Sequence, residues 1–352
     1  TRGLFELREA VAAHLHRLYG LHYNPENEIL ITVGVSEGLQ SLALGVLNGG
    51  DEVIMTDPYY VAYPGCVMMA DARPVFVPTS VENGFQVSAT AIEAAITPRT
   101  RAIMLGYPSN PTGAVMSRAG MAEIAAVAER HNLMIFSDEI YDRLVYDTEH
   151  VCAATLPGAR DRTALFGGFS KAYAMTGWRL GWIAAPADMT GAAAKVHQYS
   201  IMSAATMSQH AGLAALKEGE PYVREMVAEY DRRRRLLVKG LNALGLPTIE
   251  PQGAFYAFPQ VGHFGLNSKD FAKQLLLEGQ VAIIPGSAFG ACGEGYARVC
   301  YATSMDTISC ALERIEKFLR AKGWMESNNL SVQSGAAHNV WNAGRFAAGP
   351  NS

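Results

Sequence analysis

The feature that most constrains this chain is a repeated alternation of short, continuously apolar runs with longer helical patterns. Residues 29–33, 53–55, 101–105 and 133–136 are apolar on consecutive positions, as strands buried on both faces are. Helical stretches lie between them, such as 36–47 and 117–130. An opening helix repeats Leu4, Leu7, Val11, Leu15 and Leu18 at three- and four-residue steps, with Gly20 where a helix end favours glycine. Strands and helices in that order predict an α/β fold: a large, mostly parallel sheet covered by helices.

Downstream the character of the chain changes. A long polar helix is expected over 222–244, and its Arg232-Arg233-Arg234-Arg235 run reads as a solvated face. After it come short strands (255–258, 281–284, 297–301) and helices (268–278, 306–322), the pattern of a smaller α+β unit. The expected division is therefore a large unit over 1–220, a connecting helix over 221–245, a small unit over 246–324 and an irregular tail over 325–352. Composition limits the functions. A net charge of -4 argues against a nucleic-acid surface. No apolar run reaches the roughly 18 residues of a membrane span. Five dispersed cysteines without a C-x-x-C suit a reducing cytoplasm better than a disulfide scaffold or metal cluster.

Three segments carry chemistry. In Gly167-Gly168-Phe169-Ser170-Lys171 a lysine follows an apolar run and a Gly-rich turn, and Arg179 stands eight residues on. Partial desolvation at such a turn lowers an amine's pKa and frees it to attack a carbonyl, while Ser170 and Arg179 are suitable phosphate donors. Asp138, in Ser137-Asp138-Glu139-Ile140-Tyr141, ends an apolar strand on the edge where open α/β sheets bind ligands. The alternative on spacing alone is a helix N-cap. Asn110-Pro111-Thr112-Gly113 follows a third strand and by itself is only a turn signal.

Taken together, the Asn-Pro-Thr-Gly, Ser-Asp-Glu-x-Tyr and Ser-Lys-x(7)-Arg elements resemble the class I/II aminotransferases, fold type I pyridoxal-phosphate enzymes. The resemblance covers about residues 4–322. It implies that Lys171 is the Schiff-base lysine and moves the substrate α-proton. Asp138 is then the carboxylate paired with the pyridine nitrogen, which keeps the ring protonated and a stronger electron sink. Asn110 and Tyr141 match the hydrogen-bond partners of the cofactor's phenolic oxygen, and Ser170 and Arg179 match phosphate ligands. Val35 and Ser36 open a helix that would hold the phosphate. Tyr60 matches the ring stacked on the cofactor, although on its own it reads as core. Arg298 matches the clamp of the substrate carboxylate, although on its own it reads as a surface residue of an edge strand. The implied activity moves an amino group from an L-amino acid to a 2-oxo acid in a cytoplasmic homodimer.

Several departures qualify this expectation. Gly168 stands where the family often has a second phosphate-binding hydroxyl. Ser36 replaces a lysine common in aspartate-specific members, and with Tyr59, Tyr60 and Tyr63 nearby this favours a neutral or aromatic substrate. The chain begins within a helix and without Met, so we expect an upstream segment, with its partner-reaching Tyr, to have been trimmed. A β-lyase of the same fold is the nearest alternative. A second is an α/β-hydrolase, because Gly34-Val35-Ser36-Glu37-Gly38 matches the nucleophile elbow with Ser36 as nucleophile. It would need a late histidine, and His210, His263 and His338 are available. A nicotinamide enzyme is disfavoured, since no G-x-G-x-x-G follows the first strand. A ligand-sensing regulator would need a helix-turn-helix that the chain does not show.

Overall fold

The structure is a computed structural model that describes residues 1–325; the tail expected over 325–352 falls, beyond Met325, outside the described residues. Helix α1 (Phe5–Tyr19) buries Leu7, Val11 and Leu15, and Gly20 closes it in a left-handed conformation (φ 69°), its N–H bonded to the His16 carbonyl. Then follow β1 (Ile29–Thr32), α2 (Gly34–Val46), β2 (Glu52–Asp57), α3 (Ala62–Met69), β3 (Arg73–Pro78), α4 (Ala89–Ala94), β4 (Thr100–Gly106), α5 (Arg118–Arg130), β5 (Met134–Asp138), β6 (Thr163–Gly168) and β7 (Gly181–Ala184). The seven strands form one sheet in the order β1-β7-β6-β5-β4-β2-β3. From β3 to β6 all neighbours are parallel, as the apolar runs imply. Strand β7 is the departure, antiparallel to both β6 and β1. The link before it, 169–180, holds only a single short 3-10 turn, so the chain doubles straight back.

Alternation along the strands builds two cores. Ile54, Ile103 and Ile135 meet Ile124 and Val127 of α5 on one face. Val53, Met55, Met104, Phe136 and Phe166 meet Leu39 and Leu42 of α2 on the other. Each such side chain contributes roughly 1.5–3 kcal/mol by leaving water.

Beyond β7 come α6 (Ala187–Ser200), α7 (Thr206–Glu218) and α8 (Glu220–Ala243). Then β8 (Tyr256–Ala257), α9 (Ser268–Gly279), β9 (Ile284–Pro285), β10 (Ala297–Cys300) and α10 (Met305–Ala321) complete the described chain. The three short strands form a second, antiparallel sheet in the order β8-β10-β9. This corrects the reading of Arg298 as an edge-strand residue, because β10 is the middle strand. The arginine run also needs correction. Arg234 is 1% exposed, because it shares the inward stripe of α8 with Leu237, Val238 and Leu241. Its guanidinium bonds Asp231 and Asp147 at 2.6 Å and the Pro251 carbonyl at 2.8 Å, which ties α8 to the loops before and after it.

Candidate active site

Strands β4, β5 and β6 run parallel and finish on one edge, and there a cavity of about 340 Å³ opens. It is lined by all ten residues singled out from the sequence: Val35, Ser36, Tyr60, Asn110, Asp138, Tyr141, Ser170, Lys171, Arg179 and Arg298. The small sheet supplies Arg298 from β10, and the other nine come from the large sheet's loops and strand ends.

At the floor, Asp138 is buried at the end of β5 and caps no helix. One carboxylate oxygen accepts the Tyr63 hydroxyl at 2.9 Å and the other accepts the Ile140 N–H at 3.2 Å. Burial raises its pKa from 3.8 to about 6, opposed by those two donors. A cation beside it would restore the carboxylate. Gly106 exists for this contact, since a Cβ there would stand 2.2 Å from the Tyr63 hydroxyl.

Lys171 follows β6 on the tight loop 169–180, half-buried, its Nζ 5.2 Å from the Phe255 ring centre and 5.5 Å from that of Tyr141. Burial lowers its pKa below the usual 10.5 and so enlarges the fraction of free amine. The same loop carries Ser170 and Arg179 and is stitched internally. Thr176 Oγ1 donates to the Ser170 carbonyl at 2.7 Å, and Arg179 Nη1 donates to the Thr176 carbonyl at 3.0 Å.

Arg179 reaches the start of α2. The N-cap residue Val33 offers no side-chain acceptor and its own N–H donates to Glu37 at 2.9 Å, while the N–H groups of Val35 and Ser36 in the first turn have no helical partners. Gly34 adopts φ +77°, and a Cβ there would lie 2.7 Å from Arg179 Nη2. An uncapped helix terminus with a guanidinium packed beside it is a dianion cradle. Close glycine packing also explains Gly168. A Cβ there would come within 3.0 Å of Gly181 Cα, and one on Gly181 within 2.9 Å of the Gly34–Val35 peptide. Backbone contact fills the space that a side chain at position 168 would need.

Across the cavity, Arg298 Nη1 donates to Asn110 Oδ1 at 2.8 Å, which leaves the Asn110 NH2 as the group facing other acceptors. The guanidinium lies over the rings of Tyr256 (4.4 Å) and Phe289 (4.8 Å). Its Nε is buried without a partner among the described residues, a donor that a carboxylate would satisfy. Tyr141 is buried, bonded through its hydroxyl to that of Tyr256 at 2.9 Å, and burial holds its proton on well above pH 10.

Sequence reasoning missed Tyr256, Thr176 and the role of Tyr63 against Asp138, since only contacts between distant segments reveal them. Tyr59 is absent from the cavity lining and stacks on Phe76 at 4.9 Å. The hydrolase alternative fails on geometry. Ser36 is exposed, and among the described residues no histidine lines its cavity. His197 is bonded to Glu37, His210 and His263 are exposed, and His338 lies outside the described residues.

A family profile for aminotransferase class I and II matches residues 1–315. The chain is 42% identical to aromatic-amino-acid aminotransferase 2 of Thermococcus litoralis, over 91% of this chain and 83% of that protein. It is likewise 42% identical to an aspartate aminotransferase of Pyrococcus abyssi, with the same coverage. The crystal structure of an aromatic aminotransferase from Pyrococcus horikoshii superposes with a TM-score of 0.90 at 40% identity, covering 92% of this chain and 88% of that one.

Proposed function

The chain belongs to the class I and II aminotransferases, pyridoxal-phosphate enzymes, and from that premise we propose how its own residues perform the transfer. The bound cofactor supplies a carbonyl to carry the amino group and a ring to accept electrons from the substrate carbon. The present donor set fits it: a dianion cradle at α2 and Arg179, a buried carboxylate at Asp138, and directed donors at Asn110 and Tyr141.

In this reading Val35, Ser36, Ser170 and Arg179 hold the phosphate, and Tyr60 covers one ring face. Asp138, steadied by Tyr63, becomes fully ionised against the ring nitrogen and keeps that nitrogen protonated. Asn110 and Tyr141 donate to the phenolic oxygen. Lys171 would hold the cofactor's carbonyl carbon through its amine, with loss of water, and once the substrate's own amine displaced it, the freed amine would be placed to move the proton of the substrate's α-carbon. Arg298 binds the substrate carboxylate through the face that carries its unpartnered Nε. Residues 1–220 hold the cofactor, 221–245 connect, and 246–324 carry the clamp.

The cations of the cavity, Lys171, Arg179 and Arg298, are then all engaged, which supports a neutral or aromatic side chain rather than a second carboxylate. A homodimer is supported by the exposed Tyr199, Ile201, Met202 and Met207 around the α6–α7 link. Cytoplasmic residence is supported by the five unpaired cysteines.

The observation that carries the reading is the convergence of Lys171, Asp138, Asn110, Tyr141, Arg179 and Arg298 on one cavity. Protein loaded with pyridoxal phosphate should show a visible band that borohydride abolishes, and Lys171→Ala should lose both band and adduct. Retention of the band by that variant removes Lys171 from its role. A donor panel with 2-oxoglutarate tests the substrate, and a preference for aspartate above about a hundredfold, near 2.7 kcal/mol, would exclude the neutral or aromatic choice.

A further inference from the structure

Tyr256 is buried, lines the cavity and belongs to no motif. Its hydroxyl and that of Tyr141, 2.9 Å apart, have no other hydrogen-bond partner among the described residues. Two hydroxyls at this distance share one proton. One donates, and the other keeps its own proton free for a third group.

The surroundings set the direction. The Arg298 guanidinium lies 4.4 Å over the Tyr256 ring, and a cation there stabilises negative charge drawn toward that phenol's oxygen. The Lys171 amine lies farther from the Tyr141 ring, at 5.5 Å, and burial pushes it toward its neutral form. Tyr256 is thus the better donor of the pair. Arg298 already does the equivalent for Asn110, taking up its carbonyl oxygen and leaving the NH2 free.

We propose that Tyr256 is a positioning residue, donating its hydroxyl proton to Tyr141 so that the proton of Tyr141 is committed to the phenolic oxygen of the cofactor. The proposal rests on the role assigned to Tyr141 above. Hydrogen bonds in series polarise one another, so the Tyr256 hydroxyl strengthens a donor it does not replace. Donation to the phenolic oxygen stabilises the deprotonated chromophore, so a weaker donor raises the pH at which the visible band titrates.

The test is a spectrophotometric pH titration of the cofactor-loaded protein. Tyr256→Phe keeps the ring beneath Arg298 and removes only the hydroxyl. Its midpoint should rise by about 0.5–1 pH unit, a roughly three- to tenfold weaker acid. In a Tyr141→Phe background the same change should add nothing, because the effect passes through Tyr141. A purely structural role would move the unfolding midpoint and leave the spectral one in place. A Tyr256→Phe midpoint within about 0.2 pH unit of wild type, or an equal shift in both backgrounds, overturns the relay. Lys171→Ala serves as the control. If it loses the band while Tyr256→Phe is silent, only the relay fails; if it keeps the band, the underlying site assignment fails and the relay with it.

Discussion

Asp138 makes the cofactor-free protein less stable than it need be, and the cost can be measured. The fold raises its pKa from 3.8 to about 6, so the folded chain holds this proton more tightly than the unfolded chain does. For an acid raised in this way, stability falls as pH climbs from about 4 to about 6 and stays reduced above that. At 1.36 kcal/mol per tenfold change in acidity, the full penalty is about 3 kcal/mol. Asp138→Asn removes the charge and nearly preserves the shape. The amide oxygen can still accept the Ile140 N–H, while the Tyr63 hydroxyl reverses to accept from the new NH2. Without cofactor, Asp138→Asn should therefore be more stable than wild type by about 3 kcal/mol at pH 8, by about half that at pH 5, and hardly at all near pH 4. Loading should favour wild type, whose carboxylate regains a cation, and turnover of the variant should fall by orders of magnitude. Urea unfolding of both proteins across pH 4–8 gives the comparison. A variant no more stable than wild type at pH 8, or a difference that does not change with pH, would refute the reasoning.

Two further outcomes follow from the same cavity. Arg298→Ala should weaken amino-acid binding by about 2–5 kcal/mol, read as a rise in KM or in the titration of spectral changes by substrate, whereas unchanged affinity would remove Arg298 from the clamp. Gly34→Ala forces a side chain onto a φ of +77° and into Arg179, so it should cost about 1 kcal/mol of stability and loosen cofactor retention roughly tenfold on dialysis. Unchanged retention would show that Arg179 does not bind the phosphate.

Much of the sheet was legible, because strands such as β4 and β5 are apolar on consecutive positions, 102–105 and 134–136. Residues named by local motifs were also legible. Lys171, Ser170 and Arg179 sit on one loop, and Asp138 ends a strand that its own composition reveals. What escaped depends on contacts between distant segments. Tyr63 and Asp138 are 75 positions apart, and Tyr141 and Tyr256 are 115 apart. Arg234 was misread because four consecutive arginines look alike in sequence, while helical phase turns only one of them fully inward. The reversal at β7 escaped for a related reason. Four apolar residues specify a buried strand but not its direction.

The placement of β1 also bears on how the protein is made. This strand sits at the sheet's edge, and among the described residues its only partner strand is β7, with Thr32 opposite Gly181. At about 5–20 residues per second of synthesis, the wait between them is on the order of 7–30 s. Throughout it, Ile29, Leu30 and Ile31, all fully buried in the finished fold, have no sheet to join. The nascent chain thus presents a sticky, hydrogen-bond-hungry segment to the ribosome surface and to any holding chaperone until β7 emerges. The start of α2 cannot take its final shape before then, because Gly181, which packs on its Gly34–Val35 peptide, has yet to be made.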